Sequence, residues 1–128
     1  MLHIATEHVS REDFALHYAE QQNLPYIVCD TSALTTHWYS REFFGGTEYP
    51  LIYLSNESFR RYDFVFICDN SIPFEQDGTR VDEVFRRRAY EWYIEKHETK
   101  KVTYTILTGS VHERIQTVMK VLDIESWS

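Results

Sequence analysis

Glycine is scarce in this chain of 128 residues: four occur, Gly45, Gly46, Gly78 and Gly109, and none is followed by lysine. A phosphate-cradling glycine loop needs two glycines separated by four residues, with Lys and then Ser or Thr after the second, so that backbone amides and an ammonium group grip the phosphates. These residues contain no such loop. Cysteine is equally sparse, with only Cys29 and Cys68, and neither has the Cys or His neighbours of a zinc knuckle. Each closes an apolar run, so both are expected as reduced core thiols of a cytoplasmic protein. No apolar run is long enough to span a bilayer, and the amino end lacks the basic, apolar and small-residue order of a secretory signal.

Positive charge is also in deficit, with 13 Lys and Arg against 20 Asp and Glu and a formal charge of -7. That balance argues against a protein that coats nucleic acid or an anionic membrane. Any anion site must be local. The six histidines, His3, His8, His17, His37, His97 and His112, include no pair at the i, i+4 spacing with the acid of a metallohydrolase. No Gly-x-Ser-x-Gly nucleophile elbow occurs either.

What is present suits a packed core: 43% of the residues are hydrophobic and 16% aromatic, and the length fits one domain over 1–128. Residues 1–9 carry no clear signal. Ser10 with Asp13 three residues on resembles a helix amino-terminal cap, and Phe14, Ala15, Tyr18 and Ala19 follow at helical spacing, so a helix is predicted over 10–22. Asn23, Leu24 and Pro25 stop it. The apolar run Tyr26-Ile27-Val28-Cys29 then fits a strand buried on both faces. Asp30 or Thr31 is placed to cap a helix reaching about Phe44, ended by Gly45-Gly46. A further helix is expected over 49–62, with Pro50 near its start.

Residues 63–68 form the next expected strand, with Asp69 at its end as Asp30 ends the first. The loop Ile72-Pro73-Phe74-Glu75-Gln76-Asp77-Gly78-Thr79-Arg80 leads into a predicted helix over 81–97, and 70–97 together read as a lid. Residues 102–107 are β-branched and aromatic, hence a third strand, and Ser110 caps a last helix carrying Val111, Ile115, Val118, Met119 and Leu122. Alternation of helix and strand implies an α/β fold, a three-layer parallel sheet with flanking helices. Three strands are few for such a sheet, whose faces and edges need cover. A partner strand is expected.

Asp30 is the strongest single candidate, because an acid at the tip of an apolar strand can serve Mg²⁺ or a substrate hydroxyl; a helix-capping role is the alternative. Arg80, beside the Asp77-Gly78 turn, offers a guanidinium that can contact two phosphate oxygens at once. Phe74 is placed to stack on a base or to anchor the loop. Arg86, Arg87 and Arg88 diverge by roughly 100° per residue on a helix, so they cannot all face one ligand.

Several blocks occur together in order: Cys29-Asp30-Thr31-Ser32-Ala33-Leu34-Thr35-Thr36, Tyr39-Ser40, Phe44-Gly45, Tyr62-Asp63, the loop from Ile72 to Arg80, Thr108-Gly109 and Glu113-Arg114. In this the chain resembles the ribosylnicotinamide-kinase-like (NadR-like) branch of the AAA-type P-loop ATPases, from about Ser10 to the carboxyl end. The resemblance implies an incomplete P-loop kinase fold, lacking the first strand, glycine loop and first helix, and a family chemistry in which ATP with Mg²⁺ phosphorylates a nucleoside. It further implies Asp30 as catalytic acid and metal ligand, and Arg80 as catalytic. Thr31, Asp77, Arg87, Arg88 and Arg114 would serve cofactor binding, and Phe74 and Tyr39 substrate binding. Family members have Asp where Ser32 stands in some cases, so the riboside specificity is not carried over. Without the glycine loop the chain alone is expected to be inactive. The alternative is a non-catalytic remnant that binds nucleotide or pairs with itself, or with a complementing chain, through an exposed sheet edge.

Overall fold

The computed structural model describes residues 1–70 and 80–124, with 80–82 described by backbone alone. The chain divides into two compact units, Met1–Tyr62 and Asp63–Ser128.

The first unit is helical. Helix α1 (Leu2–Gln22) begins well before the expected start at Ser10. No Gly or Pro interrupts residues 2–22, the Thr6 hydroxyl donates to the Leu2 carbonyl at 3.0 Å, and Arg11 pairs with Glu7 at 2.7 Å across one turn. A helix costs most at its nucleus, so an unbroken run extends. Asn23, at φ 55°, ends it in the left-handed conformation that Asn tolerates.

Helix α2 (Ala33–Phe44) is capped by Ser32, whose Oγ accepts from the Leu34 amide at 3.2 Å, and it ends at Gly45 with φ 68°. Helix α3 (Tyr49–Ser58) carries Pro50 in its first turn, where a missing amide costs nothing. The three helices pack on one another. Ala5, Ala33 and Leu51 form the buried centre, with Met1, Leu2 and Leu54 against it. Small residues on α1 and α2 let the helices approach closely enough for Leu51 to fill the gap.

The second unit holds the sheet. Strands β1 (Phe66–Cys68) and β2 (Thr105–Leu107) are parallel, with Phe66 opposite Thr105, Ile67 opposite Ile106 and Cys68 opposite Leu107. The ladder continues at both ends through Thr105 N–H to the Val65 carbonyl at 2.9 Å and Asp69 N–H to the Leu107 carbonyl at 3.1 Å. Helix α4 (Arg80–Lys100) packs on β1 and helix α5 (Val111–Leu122) on β2. Among the described residues of this unit, Ile67, Trp92, Leu107 and Met119 are the buried apolar ones.

Four expectations need correction. The sheet has two strands among the described residues, so a three-layer sheet is not seen. Residues 26–29 belong to no strand, because an apolar run becomes a strand only when a neighbour's backbone satisfies its amides and carbonyls. Cys29 and Cys68 are both exposed rather than in a core: the run before Cys29 is itself exposed, and Cys68 closes a strand whose burial stops at Ile67. Arg80, expected in the loop, is the first residue of α4.

Candidate functional site

In the first unit the residues before α2 carry the first candidate. Asp30 and Thr31 are exposed, Thr31 has φ 68°, and Ser32 then caps α2. A β-branched residue in the left-handed region is strained and needs surrounding structure to hold it. Since Ser32 supplies the cap, Asp30 is not needed for that role. Its carboxylate stands in solvent at the amino end of a helix.

A second polar cluster on this unit joins residues far apart in sequence. Glu12, on α1, has a side chain only 11% exposed. Its carboxylate accepts from Arg61 Nε at 3.1 Å and from the Tyr62 hydroxyl at 2.6 Å. The other arm of the Arg61 guanidinium reaches Asp13 at 2.8 Å. Burial pushes the Cys29 thiol up from its ordinary pKa, and the Glu12 charge adds to it. Tyr62 is raised first by burial and then by its hydrogen bond to Glu12. An anion next to an acidic hydrogen opposes its loss.

Tyr39, on α2, is exposed and stacks on Phe43 with ring centroids 5.7 Å apart and planes 14° from parallel. The pair follows from the i, i+4 spacing on one helix face. It is an apolar flat surface on the same unit as Asp30.

In the second unit, Arg114 lies inward. Its Nε donates to the Gly109 carbonyl at 2.9 Å, and a terminal nitrogen donates to Asp69 Oδ1 at 2.6 Å, with both side chains largely buried. Thus Arg114 joins the carboxyl ends of β1 and β2. That end of a parallel sheet is where α/β proteins place ligands. Arg87 and Arg88 are exposed on α4. Ser110 and Glu113 form a capping box at the start of α5, and the backbone hydrogen bond from Ser110 holds the Glu113 carboxyl below the usual range. Phe74 and Asp77 lie outside the described residues.

Sequence reasoning names Asp30, Tyr39 and Arg114 as candidates and does not reach the contact of Glu12 with Arg61. Arg61 follows Glu12 by 49 residues, and no motif links them. Among the described residues no group of three His, Cys, Asp or Glu is placed to hold a metal ion. No helix there is long and apolar enough to cross a membrane.

Residues 2–114 match the family model of an AAA domain. No curated protein and no solved structure matches the chain.

Proposed function

This chain belongs to the AAA domain family, and on that premise we propose that it serves an ATP-dependent nucleoside kinase activity of the ribosylnicotinamide type, these residues being inactive alone. The observation that carries the reading is Asp30. It is an exposed carboxylate released from capping by Ser32, at the start of the helix that bears the Tyr39 surface.

Mg²⁺ is commonly held by one or two carboxylates with the rest of its shell from water and phosphate oxygens. A single exposed acid such as Asp30 fits that mode, and the missing three-residue cluster does not speak against it. When bound, Mg²⁺ would neutralise charge on the transferring phosphoryl group. Asp30 would orient the ion or accept the proton of the attacking hydroxyl. Thr31, Asp77, Arg87 and Arg88 would contact the nucleotide, with Arg80 balancing charge at the phosphoryl group, and Phe74 and Tyr39 would bear on the nucleoside. Arg114 acts differently in this reading: with its nitrogens turned to Gly109 and Asp69, it shapes the strand ends that the nucleotide meets.

The glycine loop is absent from these residues, and each charge-assisted hydrogen bond to phosphate that it would supply is worth about 1.5 to 3 kcal/mol. The expected result is no phosphoryl transfer from radiolabelled ATP to nicotinamide riboside by the 128-residue chain. Activity is expected when a segment carrying the glycine loop is supplied in trans, and Asp30→Asn abolishes it. Turnover by the chain alone, or turnover in trans that survives Asp30→Asn, overturns the reading.

The second reading, an interaction module, is favoured by the sheet. Only two strands pair among the described residues, and Phe64 before β1 and Ile106 in the middle of β2 are exposed. An open parallel edge is a template for another strand. A homo-oligomer, or a complex with a complementing chain, would cover it. Light scattering that shows a stable monomer at high concentration removes self-association.

A further inference from the structure

Strand parity decides which backbone groups of the short sheet are already used. Thr105 N–H donates to the Val65 carbonyl at 2.9 Å and Asp69 N–H to the Leu107 carbonyl at 3.1 Å, so Thr105 and Leu107 turn their amides and carbonyls to β1 in the evenly spaced parallel ladder. Ile106, between them, turns its own outward. Among the described residues these two groups have no hydrogen-bond partner. Residues 102–108 hold no charged residue and no proline, the side chains that commonly guard an edge.

The helix above this strand points to the same place. Leu107 is buried and Ile106 is 37% exposed, so α5, which packs on β2, covers the Leu107 face. The buried residues of α5, Arg114 and Met119, bound an arc of about 140° at 3.6 residues per turn, and Val111 and Ile115 lie inside it. Yet these two are 64% and 40% exposed. Arg114 reaches Asp69 beyond the end of β1, and Ile115 follows it by about 100° around the helix, on the side away from β1. A helix is about 10–12 Å across and strands lie about 4.8 Å apart, so two strands leave the outer side of α5 without a floor.

We propose that the β2 edge receives an extended segment of another polypeptide as a third strand, apolar at alternate positions and carrying acidic residues at one end. Its backbone pairs with Ile106, and its apolar face lies under Val111 and Ile115. Strand addition of this kind draws affinity from the main chain and specificity from alternate side chains. Lys100 and Lys101, both exposed shortly before β2, supply the charge that the acidic end meets. A second copy does not fit this edge: a two-fold pair of β2 strands keeps both α5 helices on one face, over strands about 4.8 Å apart, whereas packed helices need about 8–10 Å. The inference rests on the reading of the chain as an interaction module.

The test is binding of a labelled synthetic peptide of alternating valine and threonine to the full chain, read by fluorescence anisotropy and by amide hydrogen exchange. The Ile106 amide is expected to exchange about 10-fold more slowly with peptide bound, while those of Phe66 and Cys68, which face outward on β1 by the same parity, stay unchanged. N-methylation throughout the peptide, which removes its donors, abolishes binding, and Ile115→Gln weakens it about 10-fold. Among peptides with a glutamate pair at the amino end, at the carboxyl end or at neither, one of the acidic two binds tightest, and its advantage disappears in about 1 M salt. Equal affinity of the three, unchanged affinity in Ile115→Gln, or binding that survives N-methylation overturns the proposal. Protection of Phe66 and Cys68 in place of Ile106, or protection of Ile106 that grows with the concentration of the chain alone, also overturns it and leaves the interaction module standing. No protection at either edge removes both.

Discussion

Arg114 and Asp69, 45 residues apart, meet at 2.6 Å with the guanidinium side chain only 8% exposed and the carboxylate 17%. The same guanidinium holds the Gly109 carbonyl. One side chain on α5 thus fastens the ends of both strands, and the sheet, only three residue pairs long, relies on it. A ladder this short contributes little by itself.

Arg114→Met is expected to destabilise the second unit by about 3–5 kcal/mol, the usual cost of leaving one member of a buried pair behind. Urea denaturation followed by Trp fluorescence measures it. The double variant Arg114→Met with Asp69→Asn should recover part of that loss, because the stranded charge is gone. A double variant as unstable as the sum of the two single ones would show that the pair is not coupled.

Gly109→Ala should cost about 1–3 kcal/mol, the range for a residue forced into a sparsely populated backbone region. Gly109 has φ 85°, and a Cβ there would lie 2.9 Å from the Glu113 carboxyl group. Adding Glu113→Ala removes the crowding but not the backbone strain. Thermal unfolding should therefore show partial, not full, recovery.

The Glu113 cap gives stability a dependence on acid. Its carboxyl is held below the ordinary value of 4.5, chiefly by the Ser110 backbone amide, so the folded state binds its proton less readily than the unfolded state. The contribution is present above the unfolded value and is lost as pH falls through the folded one. Glu113→Gln should flatten the fall of the melting temperature below pH 4.5. An acid limb as steep as in the unmodified chain would remove the cap as its source.

Tyr62 works at the other end of the scale. Its hydroxyl is raised from the ordinary value of 10 by burial and by Glu12, so its contribution is complete below pH 10 and is lost as pH rises through the folded value. Tyr62→Phe should cost about 1.5–3 kcal/mol at neutral pH, the worth of a hydrogen bond to a charged group. The difference from the unmodified chain should shrink in strong alkali. Chemical denaturation at pH 7 and above pH 10 separates the two.

Local signals place most of the helices. Gly45 after α2, Pro50 at the start of α3 and Ser110 before α5 each act on neighbouring backbone groups, so short stretches of sequence suffice to read them, although the cap of α2 is Ser32 and not the expected Asp30 or Thr31. The same locality explains why Asp30, Tyr39 and Arg114 stand out as types at positions, and why membership of the AAA domain family follows from ordered blocks. Strands are different. Residues 26–29 have the composition of a strand, yet only a neighbouring backbone could make them one, whereas Phe66–Cys68 finds Thr105–Leu107. Which acid braces which donor is likewise a matter of distance in space: the tertiary fold alone decided that Glu12 meets Arg61 and Tyr62 and that Arg114 turns inward to Asp69. Such pairs are made where low exposure strengthens a charge contact that water would otherwise weaken, and burial is a property of the packed chain.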